Sequence, residues 1–186
     1  MTAPEQRPVR LDVTDDGAVA AAFDRVAEEA GRLDVLVNNA GIFERSGSLE
    51  GMPMDEFDRT LAVNLRGPAL VTKHALPLLL ERDDGRVVSL SSDLGQSTGG
   101  RMGGGYPAYR VSKAGLGSLT AYLHAEYGPD GLLANAASPG WVRTDMGGPN
   151  DSRSPAEGVD TPVWLARFQP GSPAGRLWKD RTAVEW

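Results

Sequence analysis

Apolar residues are distributed along the chain in two alternating patterns. Uninterrupted runs occur in "LDVLVNNAG" (33–41), "RVVSLSS" (86–92) and "LLANAASPG" (132–140), each breaking into small, polar or turn-forming residues. Such runs are expected of strands covered on both faces in a parallel sheet. Between them lie longer stretches of helical composition: "AVAAAFDRVAEEAG" (18–31), a run over roughly 53–82, and one from about Pro107 to Tyr127. The first has Thr14 or Asp15 as its N-terminal cap and Gly31 as its C-terminal one. The second closes on the turn Asp83-Asp84-Gly85. "VRLDV" (9–13) reads as a further short strand and "GRLW" (175–178) as a weak last one, with a short helix at Ala156–Leu165 in an otherwise loop-like region. Strands alternating with helices predict βαβ units. The fold class is α/β, a parallel sheet with helices on both faces, in one domain over residues 1–186.

Composition narrows what such a fold is for. The 186 residues carry a net charge of −6, so there is no electrostatic footprint for nucleic acid or an anionic membrane. No cysteine is present, which removes disulfides, thiolate nucleophiles and cysteine-based metal sites. The two histidines, His74 and His124, are isolated and make no zinc cluster. No apolar run approaches membrane-spanning length, and "MTAPEQRPVR" lacks the apolar core of a signal peptide. The expectation is a cytoplasmic protein acting on small molecules.

Tyr109 and Lys113, in "YRVSK", are four residues apart on the third helical stretch and share one helix face. A phenol ordinarily titrates near 10, too high for ready proton exchange at neutral pH, and a neighbouring ammonium favours the phenolate. Such a pair can give a proton to a carbonyl oxygen or take one from an alcohol. With four tyrosines and three lysines, chance alone gives this spacing at a frequency of roughly 6%, so the neighbours decide its weight. Ser91-Ser92 ends a buried strand, where open α/β sheets hold their ligands. Asn64 interrupts a helical run in "LAVNLRG", where asparagine is a poor helix former. Asn38-Asn39-Ala40-Gly41 follow another strand end, with residues small enough for a flat ligand to approach the backbone. Pro139-Gly140 and Thr144 repeat the arrangement at a third. Independent candidates thus converge on one edge of one sheet. Trp141 and Trp164 remain open between a pocket wall and a buried core, and 144–160 between a mobile lid and a plain loop.

In these segments the chain resembles the short-chain dehydrogenases/reductases, closest to their carbonyl-reductase-like members. The resemblance rests on "LDVTD" (11–15), "NNAG" (38–41), "VNLRG" (63–67), "VVSLSS" (87–92), "YRVSK" (109–113) and "SPGWVRTDM" (138–146), in the family's order. It implies a Rossmann-type doubly wound parallel sheet and hydride transfer between NAD or NADP and a small carbonyl or alcohol substrate. Residue by residue, it implies Tyr109 as general acid/base, chosen over Tyr106 because only Tyr109 has a lysine one turn on. Lys113 would lower the phenol's pKa and bind the nicotinamide ribose, Ser92 would orient the substrate carbonyl, and Asn64 would support a water-linked proton relay to Lys113. Asp12 and Val13 would flank the adenine; Asn39, Ala40 and Gly41 would line the cofactor; Pro139, Gly140, Val142 and Thr144 would contact its nicotinamide end. Homo-oligomerisation through the helices near 53–82 and 107–127 is implied as well.

The family's opening strand-helix-strand unit, about fifty residues with the glycine-rich turn that holds the pyrophosphate, has no counterpart before Leu11. The sequence therefore predicts weak or absent cofactor binding by this chain alone, an exposed apolar edge at "LDVLVNN", and no residue that chooses NAD over NADP. "TGGRMGGG" (98–105) imitates the missing turn, but it lies between the Ser and Tyr segments and reads as a substrate-side loop. The alternative function is a catalytically inactive remnant that dimerises as an interaction module.

Overall fold

The computed structural model describes residues 6–98 and 102–186. Helix α1 (Asp16–Ala30) is capped by the Asp15 side chain, which accepts from the Ala18 N–H, and ends at Gly31 in the left-handed conformation that glycine adopts without strain. Strand β1 (Val35–Asn38) follows, then α2 (Met54–Leu61), a π-helical turn (Ala62–Arg66) and α3 (Gly67–Leu79). Strand β2 (Arg86–Leu90) leads through a 3-10 turn (Asp93–Gly95) to the long α4 (Pro107–Tyr127) and β3 (Leu133–Ala137). Short helices α5 (Pro155–Gly158) and α6 (Asp160–Leu165) precede β4 (Leu177–Lys179) and β5 (Thr182–Val184).

The five strands form one sheet in the order β1-β2-β3-β4-β5, with β1 to β4 parallel and β5 antiparallel to β4. Alternation along the strands sorts the core onto two faces. Val87 and Ala134 meet Ala75, Leu79 and Leu123 of α3 and α4. Val88, Leu133 and Ala137 turn the other way, toward Leu165, Phe168 and Trp178. Each fully buried Val or Leu stabilises the fold by roughly 1.5–3 kcal/mol, so these two layers fix the sheet. Helices thus cover both faces, as the α/β reading expects, and the carboxyl ends of β1, β2 and β3 point to one edge.

Some of these expectations are met and others are corrected. Residues 9–13 form no strand: among the described residues no strand pairs with them. Leu11 and Val13 instead pack on the cluster of Val19, Leu70 and Val71, beside Leu36. The run 33–41 yields only four strand residues, and as an edge strand β1 leaves Val37 47% exposed. The helical run over 53–82 is broken by the π turn, and the one over 156–165 breaks at Val159. "GRLW" gives β4, whose hairpin partner β5 carried no readable signal. Trp164 stacks edge to face with Phe168 and Trp178 in the core, 4.6 and 5.1 Å between ring centroids. The glycine-rich motif 98–105 lies partly outside the described residues.

Candidate active site

The ends of β1, β2 and β3 open onto a cavity of about 460 Å3, completed by Tyr109 and Lys113 of α4. Both side chains are buried, 9% and 6% exposed. The Lys113 ammonium lies 5.5 Å from the centroid of the Tyr109 ring and donates to the Leu90 carbonyl at 2.6 Å. Burial draws its pKa down to about 8. Burial likewise pushes the Tyr109 phenol up to about 12, partly offset by a hydrogen bond to Ser92 and reinforced by the Asp93 carboxylate. With the Lys113 ammonium turned to the Leu90 carbonyl, loss of phenolate solvation sets the direction of the Tyr109 shift. Tyr106 instead starts α4 with a positive φ of 53° and holds the Ser46 carbonyl through its N–H.

Ser92 leaves β2 in extended geometry, and its Oγ accepts from the Leu94 N–H at 3.1 Å, capping the 3-10 turn. Next to it, Asp93 is paired with Lys179 at 2.6 Å and donates its N–H to Ser138 Oγ. Burial works to raise the Asp93 pKa, yet the Lys179 contact holds it below the ordinary carboxylate range. Asn64, fully buried in the π turn, accepts from the Ile42 N–H and donates to the Ile42 carbonyl, each at 2.8 Å, and also donates to Ser112 Oγ at 3.2 Å. Ser112 in turn donates to the Tyr109 carbonyl. Asn64 therefore ties the loop after β1 to α4 rather than bonding Lys113 directly. A methyl group on Gly41 would come within 3.4 Å of Asn64 Oδ1 and 3.7 Å of Lys113 Nζ, so the two side chains converge there.

This convergence bears on a nicotinamide cofactor. Asn39, Ala40, Gly41, Pro139, Gly140, Val142 and Thr144 all wall the cavity on the side of Lys113 or the loop after β3. Gly140 has a φ of 72° and donates no side chain, which leaves the strand end open. A second hollow of about 210 Å3, lined by Val13 and Leu36, shares Asn39 and Ala40 with the first. Asp12 does not face it: its carboxylate accepts from the Thr14 N–H and Oγ1 at 2.9 and 2.8 Å. The small residues beside Lys113 leave room for a nicotinamide, and the hollow at Val13 is where an adenine would lie. Phosphate is another matter, since the nearby start of α1 carries Asp15 and Asp16, which repel an anion.

Two wall residues escaped the sequence reading. Phe43, two residues past Gly41, packs against Tyr109 from a contact 66 positions away in sequence, 4.6 Å between centroids. Asp93 follows Ser92 directly; a charge at a buried strand end was the available signal. Trp141 proves to be a pocket residue, 42% exposed.

The family model described as Enoyl-(Acyl carrier protein) reductase matches residues 2–169. Among curated proteins, the oxidoreductase UcpA of Escherichia coli K12 is 43% identical over 138 residues, covering 74% of this chain and 51% of its own length. The short chain dehydrogenase tazN of Aspergillus terreus is 45% identical over 153 residues, 78% of this chain and 32% of its own. The chain thus spans about half or less of the length of these relatives. Among solved structures, the carbonyl reductase Sniffer of D. melanogaster superposes with a TM-score of 0.87 at 26% identity, over 96% of this chain and 77% of that one. The NADPH-bound carbonyl reductase from chicken fatty liver gives 0.84 at 26% identity, over 95% and 75%. With the family match running over residues 2–169, and with relatives above 40% identity over about three quarters of its length, the chain belongs to the short-chain dehydrogenase/reductase family.

Proposed function

We propose that the chain carries the carbonyl-reducing half of an NAD(P)-dependent oxidoreductase site, with Tyr109 as the proton donor. The observation that carries this reading is the meeting of Tyr109, Ser92 and Lys113 in one cavity at the carboxyl edge of the sheet. A nicotinamide bound against Asn39–Gly41 and Pro139–Thr144 would supply the hydride. Ser92 Oγ and the Tyr109 hydroxyl hold the substrate oxygen, and Tyr109 hands it a proton as negative charge develops there. Burial keeps the Tyr109 phenol protonated at neutral pH, the form that can give a proton to a carbonyl oxygen. The Lys113 charge stabilises the phenolate left behind, while Asn64 holds the Ile42 segment, and so Gly41, in place. The choice between NAD and NADP is left open by these residues. Val111 and Tyr122, both exposed and eleven apart on one face of α4, support association of two copies through that helix.

Carbonyl-dependent oxidation of NADPH and of NADH by the chain tests this reading. Tyr109→Phe is expected to lower turnover by at least about a hundredfold with the circular dichroism unchanged; a variant as active as the parent removes Tyr109 from the mechanism. Because Lys113 loses its proton near 8, the rate of reduction should be level below that pH and fall above it.

A further inference from the structure

Part of the cavity lining is apolar and aromatic: Phe43, Leu94, Trp141, Met146 and Val159. Phe43 stands edge to face against Tyr109 and Tyr106, with centroids 4.6 and 4.9 Å away, and against Trp141 at 6.0 Å. Arg45 braces it from outside. The guanidinium carbon lies 5.3 Å from the Phe43 centroid, and Nη2 donates to the carbonyls of Met146 and Gly147 at 3.1 and 2.8 Å. This clamp joins the loops after β1 and β3 beside the aromatic wall.

Charge is spent locally around the same wall. Among the described residues that line the cavity, Asp93 and Lys113 are the only charged ones. Lys113 is turned to the Leu90 carbonyl and Asp93 to Lys179. Arg153, which packs against Gly140, is held by both Asp180 oxygens at 2.6 and 2.7 Å. Each of these charged groups already has a partner, so none of them is free to anchor an ionic substituent of the substrate.

We propose that the site takes an uncharged ketone or aldehyde bearing a planar ring beside the carbonyl, with the ring against Phe43 and Trp141, and that Phe43 selects it over open-chain carbonyl compounds. The proposal rests on the carbonyl-reducing reading of this site, and a binding measurement separates the two. Acetophenone, 4-acetylbenzoate and 2-octanone are titrated against the chain by saturation-transfer NMR, with and without NADP. Acetophenone should bind about tenfold more tightly than either of the others. In Phe43→Leu, which keeps the apolar volume, that preference should shrink to about threefold or less, and Trp141→Ala should weaken acetophenone in the same direction. Equal affinities in the parent chain, a preference for the carboxylate, or an undiminished preference in Phe43→Leu would overturn the proposal. So would failure of acetophenone to bind; turnover of an open-chain carbonyl would then leave the carbonyl-reducing reading standing. Binding of acetophenone without any hydride transfer would sustain the ring site and sink that reading instead.

Discussion

Lys113 holds an ammonium where water hardly reaches, and the cost is legible in its pKa of about 8 against an ordinary 10.5. The sign follows from proton counting. Below about 8 both folded and unfolded chains carry the proton, and the full penalty of the buried charge, about 3 kcal/mol, is present. Between about 8 and 10.5 the unfolded chain binds more protons, so stability gained from losing that charge rises with pH. Lys113→Met should therefore stabilise the fold by about 1–2 kcal/mol at pH 7, the exposed need of the Leu90 carbonyl offsetting part of the gain. The advantage should shrink as pH approaches 9.5 in urea denaturation series; a difference that is constant with pH would show that charge burial is not its source. The spacing of Tyr109 and Lys113 was readable because a helix repeats every four residues or so. Their environment was not: the aromatic edge of Phe43 and the carboxylate of Asp93 reach Tyr109 through tertiary contacts that no local pattern encodes.

At the level of elements, the boundaries of α1 were written in its caps, Asp15 and Gly31, and α4 starts at Pro107 without a side-chain cap, whereas the π turn at Ala62–Arg66 was hidden inside a run that reads as one helix. An added residue per turn changes backbone hydrogen bonding without changing composition. The one outward sign was Asn64, a residue out of place in a regular helix and in place where a widened turn presents its amide to the Ile42 backbone. Residues 9–13 err the other way. Their apolar content is real, but a strand exists only with a neighbour to bond, and Leu11 and Val13 settle for side-chain packing on α1 and α3. The π turn yields a prediction. Asn64→Ala removes the side-chain partner of the part-buried Ile42 N–H and carbonyl and should cost about 1–3 kcal/mol. It should also speed amide hydrogen exchange at Ile42 more than at Val88 in the sheet centre. Equal acceleration at both sites would mean that Asn64 acts on global stability and not on this junction.

For the whole molecule, surface area sets the question. The chain exposes 10356 Å2, against roughly 8,600 Å2 for a compact monomer of its 19.7 kDa mass. Residues 6–10 are exposed, and so is the outer edge of β1, where Val37 stands open beside the hollow of Leu11, Val13 and Leu36. A parallel strand with one unpaired edge and an apolar side chain on it is a template for pairing with another chain. The core does not depend on that side chain: the buried layers around Val87 and Val88 belong to the sheet centre. Val37→Lys should therefore raise the protein concentration at which light scattering sets in, while shifting the unfolding midpoint by no more than about 0.5 kcal/mol equivalent. If scattering is unchanged, the association-prone surface lies elsewhere, with the exposed face of α4 at Val111 and Tyr122 the next place to put a charge. If scattering falls together with stability, Val37 is part of the core after all, and β1 is not the open edge that its pairing on one side alone indicates.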